Sequence, residues 1–215
     1  MAKTEAANLT RDRLVSHALR LFARRGYDAV TVDEIVRSAK LTKGAFYHHF
    51  RSKEDCLAEI HTSFVEHALQ RFQAIMDRGE DAEKTIRTLM SELFMQIRDY
   101  RAQVIVLWDS RRSLPRAQAK LVEAKKAEIR HFFTATIERG HREGLFDAAH
   151  DSHTAALGIF GMCMWAYHWY DPKGAQTPEQ LATSFADLVV VGLAHKPTPA
   201  GRLAVQVPAQ AAPPA

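Results

Sequence analysis

The chain has 215 residues, of which 47% are hydrophobic and 25% charged, with a formal net charge of +4; this reads as a globular protein of one large domain or two small ones, with ample material for buried cores. The longest apolar run, Ala155 to Tyr167, is shorter than the roughly 20 residues that cross a bilayer, and "MAKTEAANLTRDR" lacks the apolar core of a signal peptide. A membrane protein and a secreted one are thereby set aside, and the cytoplasm is the expected compartment.

Helical periodicity dominates, without strand alternation or internal repeat. A first helix is expected from about Thr10, with Leu14, Ala18 and Phe22 on one face and Val15 and Leu19 beside them, stopping at Gly26. "TVDE" offers a capping box, Thr31 with Glu34, for a second helix through Val32, Ile35, Val36 and Ala39. After a break at "AKL", Thr42 can cap a third, "LTKGAFYHHF". "SKED", Ser52 with Asp55, reads as another capping box, opening a long helix toward Met76. Longer helices follow: about Ala82 to Tyr100, one through Trp108, and Pro115 to about Arg142, closed by Gly140 and Gly144. The apolar segment from Ser152 to Tyr170 ends at "DPKG", and Pro178 starts a last helix to Leu193. Residues 196–215, rich in proline, read as a disordered tail.

Charge is unevenly spread. Residues 1–53 carry eleven Lys/Arg against five Asp/Glu, +6, which leaves −2 for the rest. A basic end on a slightly acidic body suits contact with a polyanion, although a solvated surface has the same composition. Cys56 and Cys163 are too few and too far apart for a disulfide framework or a C-x-x-C site.

Two short helices joined by a turn of three or four residues form a helix-turn-helix pattern. On a wheel, Phe46 and Phe50 of the second helix face inward, flanked by Thr42 and His49, while Lys43, Gly44, Tyr47 and His48 face outward. A glycine inside a helix costs roughly 1 kcal/mol relative to alanine, so Gly44 suggests that something approaches the backbone there. Lys43 and the Tyr47 hydroxyl suit phosphate, His48 phosphate or a base, and Lys53 adds an anion-binding end at the next helix. Residue by residue, the other reading is that Tyr47 and His48 cover a neighbouring helix and Gly44 is a packing glycine.

The stretch Arg11 to Ile60, with "LFARRGYDAVTVDEI" and "TKGAFYHHFRSKEDCL", resembles the DNA-binding region of TetR/AcrR-type transcriptional regulators. The resemblance implies an all-α homodimer. Its three-helix helix-turn-helix domain, expected at residues 1–56, would bind palindromic double-stranded operator DNA. A helical bundle at 57–195 would bind a ligand, dimerise and release the DNA, without enzymatic activity or cofactor. By position, Thr31, Thr42, Lys43, Gly44, Tyr47, His48 and Lys53 become DNA-contact candidates. Lys40 departs from the pattern, which has glycine there. A left-handed lysine costs about 1–2 kcal/mol, and a phosphate contact by Lys40 would offset it.

In the larger domain, Gly158, Met162, Trp165 and Trp169 form one stripe, read either as core or dimer packing or as one wall of a cavity shared with Phe94, Trp108, Phe132 and Phe133. Arg98, Arg101, Arg111 and Arg112 lie near helix joints, in water or beside an anionic ligand group. "WAYHWYDPKGAQTPEQLATSFADLVVVGL" is similar to the C-terminal region of a subgroup that senses acyl-CoA thioesters, although Met164 replaces an expected polar residue. The ligand candidates are thus Phe94, Arg98, Trp108, Arg111, Arg112, Phe133, Met162, Trp165 and Trp169, with an acyl-CoA ahead of an apolar drug-like effector. Leu181, Phe185, Leu188, Val189 and Gly192, with Gly158 and Gly161 for close approach, make the expected dimer surface. Two-fold symmetry would then set the recognition helices about 34–36 Å apart.

The rivals are an enzyme and a helical-bundle lipid carrier. Eleven histidines occur, and His150 and His153 lie a turn apart, yet no further ligands follow at a metal-binding spacing, and no nucleophile elbow, phosphate loop or H-E-x-x-H motif is present.

Overall fold

The computed structural model describes residues 2–194, with side chains from Ala7 onward; the expected tail at 196–215 lies outside the described residues. Nine α-helices and one 3-10 turn make up the regular structure of the described residues. Phe146 and Ala194 form an isolated antiparallel bridge. The fold is all-α, as expected.

Helix α1 (Ala2–Arg25) begins ahead of the expected Thr10, because nothing before Thr10 breaks a helix and Ala2, Ala6 and Ala7 favour one. Gly26, at φ +78°, ends it, its amide bonded to Phe22 O at 2.9 Å. Helix α2 (Val32–Ser38) has the full Thr31/Glu34 capping box. Helix α3 (Lys43–His49) starts at Thr42, whose hydroxyl accepts from the Ala45 amide at 3.1 Å. Helix α4 (Lys53–Met76) departs from its expected box: Ser52 accepts from the Asp55 amide, while the Asp55 carboxylate takes the amide of Arg51 rather than that of Ser52. The carboxylate reaches one residue further back, to an amide that lies just outside the helix.

Next come α5 (Ala82–Asp99), α6 (Arg101–Asp109), the 3-10 turn Arg111–Ser113, α7 (Arg116–Arg142), α8 (Ser152–Trp169) and α9 (Pro178–Leu193). Gly140, expected as a stop, lies inside α7, and Gly144 at φ +72° makes the turn. A Cβ on Gly140 would sit 2.1 Å from the Phe146 ring, so glycine there lets the chain fold back against its own helix.

Two cores result. The smaller joins Leu14, Ala18, Phe22, Ile35, Phe46 and Phe50 to Cys56, Leu57 and Ile60 of α4 and to Val106 of α6. The larger is built around α5, with Phe64 to Ile75 of α4, Phe133 of α7 and Leu181 to Leu193 of α9. The boundary expected at residue 56 therefore falls inside an unbroken helix: α4 serves both cores, and Val106 ties α6 to the smaller one.

Candidate functional site

The turn before α3 is fixed by backbone. The Leu41 amide bonds Val36 O at 2.8 Å, and that of Lys40 bonds Arg37 O at 3.1 Å. Lys40 adopts φ +51°, the one non-glycine left-handed residue among those described, so the turn has the expected conformation despite the lysine. Phe46 is fully buried and Phe50 nearly so, their ring centroids 5.4 Å apart, with His49 half-buried at their flank. This anchors one side of α3 and presents Lys43, Gly44, Tyr47 and His48 outward, all exposed, Tyr47 by 55%.

Tyr47 and His48 therefore do not cover a neighbouring helix. A Cβ on Gly44 would meet only Thr42 Oγ1, at 3.7 Å, and its φ is not positive. Neither packing nor backbone conformation within the chain calls for glycine at this position.

Two hydroxyls of the expected contact set already serve as caps, Thr42 for α3 and Thr31 for α2. The Thr31 amide, followed by the Arg25 guanidinium, holds the Glu34 carboxyl down to about 2. Lys43 pairs with Asp33 at 2.9 Å, a hydrogen bond that raises its pKa. Lys53 differs from its expected role. Its ammonium donates to Tyr27 O at 3.0 Å and Val30 O at 2.9 Å and lies 4.0 Å from the centroid of the Tyr27 ring. The charge is turned into the α1–α2 connection, making Lys53 a clamp between that turn and α4, whose first turn is covered by its own Glu54 and Asp55.

The ligand candidates do not meet in one cavity. Phe94 and Phe133 belong to the packed core, Phe94 edge-on to Phe185 at 5.2 Å and Phe133 6.1 Å from Phe72. Arg98 is bound on the surface to Asp99 and Glu179. Met162 packs half-buried against the core, whereas Trp165 and Trp169 point outward, 62% and 46% exposed. Trp108 stacks on Tyr167 at 6.3 Å, with Lys126 Nζ 4.6 Å from the centroid of its indole.

Arg111 and Arg112 do come together, at a cavity of about 220 Å³ between α4, α6, the 3-10 turn and α7, lined also by His61, Leu107, Val122 and Lys126. Sequence reasoning missed His61 and Lys126. One signal was available: Lys126 sits in the buried stripe Val122, Ile129, Phe133 of α7, where a lysine is out of place unless partnered.

The expected dimer stripe is shifted round its helix. Leu181 is in the core, and Phe185 and Val189 pack partly against it. The outward apolar residues are Leu157, Trp165 and Trp169 of α8 and Leu188 and Val191 of α9. Gly158, Gly161 and Gly192 lie among them, with nothing within 4 Å of where a Cβ would stand.

No helix among the described residues is long and apolar enough to cross a membrane, and no group of three or more His, Cys, Asp or Glu among them is placed to hold a metal ion.

Residues 14–60 match the family model described as bacterial regulatory proteins, tetR family, and residues 78–193 the one described as tetracyclin repressor-like, C-terminal domain. The chain is 29% identical over 184 residues to the HTH-type transcriptional repressor KstR2 of Mycolicibacterium smegmatis, covering 85% of this chain and 90% of that one. The solved structure of the ketosteroid transcriptional regulator KstR2 of Mycobacterium tuberculosis superposes with a TM-score of 0.79 at 26% identity, covering 86% of this chain and 95% of that one. A structure of AibR in complex with isovaleryl coenzyme A and operator DNA shares the fold at a TM-score of 0.72 and 23% identity, over 83% and 97% of the two chains.

Proposed function

Since the chain belongs to the TetR family of DNA-binding transcriptional regulators, we propose that it is a repressor which binds a palindromic operator as a homodimer and is released by an anionic, partly hydrophobic effector. One observation carries the DNA-binding surface: the outer side of α3 is stripped of a Cβ at Gly44, where nothing in the protein requires it. Beside it stand an exposed lysine, tyrosine and histidine. Such a surface lets a duplex approach the helix backbone while Lys43 and Tyr47 take phosphates. Lys40 adds a cation at the turn; Thr31 and Thr42 fix the helix starts beside the duplex.

The outward stripe of α8 and α9 is the proposed dimer surface. Apolar patches of this kind mark interaction sites, and the three glycines let two helices close in.

The cavity at Arg111, Arg112 and Lys126 is the proposed effector site. Its cations favour a carboxylic acid or an acyl-CoA over a neutral drug-like compound. Coupling to DNA has a short physical route: His61 Nε2 lies 3.1 Å from Ser110 Oγ at the end of α6, and Val106 of the same helix belongs to the smaller core. An effector that favours a different seat for α6 shifts the population toward spacings of α3 that do not fit the duplex.

The experiment is a gel shift on promoter fragments from the chain's own genomic neighbourhood, with a panel of acyl-CoAs, the corresponding free acids and steroid-derived acids. The expected result is a saturable complex, dissolved by at least one compound that also raises the melting temperature. No complex, or a complex indifferent to every compound, would overturn the corresponding half of the proposal.

A further inference from the structure

The cavity under α6 has a further property, which rests on its being the effector site. His61 lines it and is 1% exposed. Ser110 Oγ donates its single proton to Val106 O at 2.5 Å, so towards His61 Nε2 it can only accept. The neutral ring is thereby held as the Nε2–H tautomer, and Nδ1 is a bare acceptor. Nδ1 has no partner among the described residues and is shielded from solvent, so an anion meets it only as the neighbouring side chains of the cavity wall move aside.

The charges facing the ring are mostly positive. Helix α7 brings Lys126 and Glu123, paired at 2.7 Å, and the 3-10 turn brings Arg111 and Arg112. Burial, then Lys126, push the His61 pKa down to about 4. The ring is neutral because a further positive charge would be enclosed with no anion to meet it.

We propose that this cavity is the subsite for the effector's carboxylate or phosphate group, and that the anion brings a proton from solvent onto His61 Nδ1. Bound between Nδ1 and Lys126, the anion reverses the sign of the nearest charge. Nδ1 gains the proton and donates it in a charge-assisted hydrogen bond, while Nε2–H keeps Ser110. At about 220 Å³ the cavity takes such a group with a short carbon stem but not a whole coenzyme A, whose remainder would lie outward, past the exposed Arg111 and Arg112.

The test is isothermal titration calorimetry of the full-length chain with coenzyme A, hexanoate and hexan-1-ol, in two non-phosphate buffers of different ionisation enthalpy. At least one anion is expected to bind with uptake of about half to one proton near pH 7, and to weaken roughly fourfold to thirtyfold between pH 6.5 and 8. Hexan-1-ol takes up none. Binding by coenzyme A alone assigns a phosphate, binding by hexanoate alone a carboxylate, and either supports the subsite. His61→Gln, which can keep the bond to Ser110, should abolish the uptake. Arg112→Gln, at an exposed position, should lower anion affinity about tenfold while leaving hexan-1-ol unchanged, and it reports on the subsite even where His61→Gln fails to fold. Absence of anion binding, absence of proton uptake in the wild type, or uptake that persists in His61→Gln would overturn the inference. Release of DNA by an acyl-CoA without proton uptake would end it while leaving the repressor reading intact.

Discussion

Lys43 of α3 and Asp33 of α2 form an ion pair, Nζ to Oδ1 at 2.9 Å, across the exposed face proposed to meet DNA. Both side chains are more than half exposed, so the pair itself adds little to stability. Its consequence is for binding. A phosphate that takes Lys43 must displace Asp33, and the freed carboxylate then lies near the backbone of the duplex. Asp33→Asn is expected to tighten DNA binding roughly threefold to tenfold at low salt, with little change in melting temperature. Fluorescence anisotropy on a labelled duplex checks it, and weaker binding by the variant would contradict it.

Lys40 carries the backbone strain of the turn, at φ +51°. Lys40→Gly removes the Cβ clash and is expected to stabilise the chain by about 0.5–1 kcal/mol, part of the gain being offset by the larger entropy of the unfolded glycine. If the lysine is kept for a phosphate, the same variant loses DNA affinity and its salt slope falls by about one unit. Urea denaturation and salt titration read the two effects separately.

The buried neutral His61 makes stability depend on pH. Its folded pKa lies near 4, below the ordinary value of 6.5, so the unfolded chain takes the proton first. The contribution is fully present above about pH 6.5 and is lost as pH falls toward 4, up to about 3 kcal/mol in all. His61→Gln should flatten that limb of the stability curve. An unchanged limb would place the acid sensitivity elsewhere.

Leu188 is 69% exposed and Trp165 62%, on the surface proposed to pair two protomers. Leu188→Glu with Trp165→Glu is expected to give a folded monomer by sedimentation, with near-native helicity and operator binding weakened by two orders of magnitude or more, since one half-site alone holds each recognition helix. A variant that remains dimeric would move the interface to another face.

The helix-turn-helix was readable because each of its cues is local. Thr31 and Thr42 precede short apolar runs, and Phe46 and Phe50, four residues apart, leave Lys43, Gly44, Tyr47 and His48 only the outer side. Lys53 was not readable, since its partners, Tyr27 O and Val30 O, lie more than twenty residues away. The stripes of α8 and α9 are legible only in part: Gly158, Gly161, Leu188 and Gly192 lie outward as expected, whereas Leu181, Phe185 and Val189 turn to the core. Helix α8 is apolar almost all round, so a wheel cannot say which face meets the core and which is left for a partner. Phe94 and Phe133 illustrate the same limit from inside: aromatic residues on facing helices make a cavity or fill one, and here they fill it. The cationic cavity depends on where α4, α6 and α7 cross, which no single helix encodes.

The most direct test of the central claim is the affinity of the wild type, Gly44→Ala and Tyr47→Ala for a duplex carrying the chain's own promoter, measured by anisotropy across salt. Gly44→Ala should fold at least as stably as the wild type, because its new methyl group meets only Thr42 Oγ1 at 3.7 Å and alanine favours the helix. It should nevertheless bind DNA at least tenfold more weakly, in company with Tyr47→Ala. Wild-type affinity in both variants, or no saturable binding of duplex by the wild type at low ionic strength, would contradict the assignment of α3 as the DNA-reading helix.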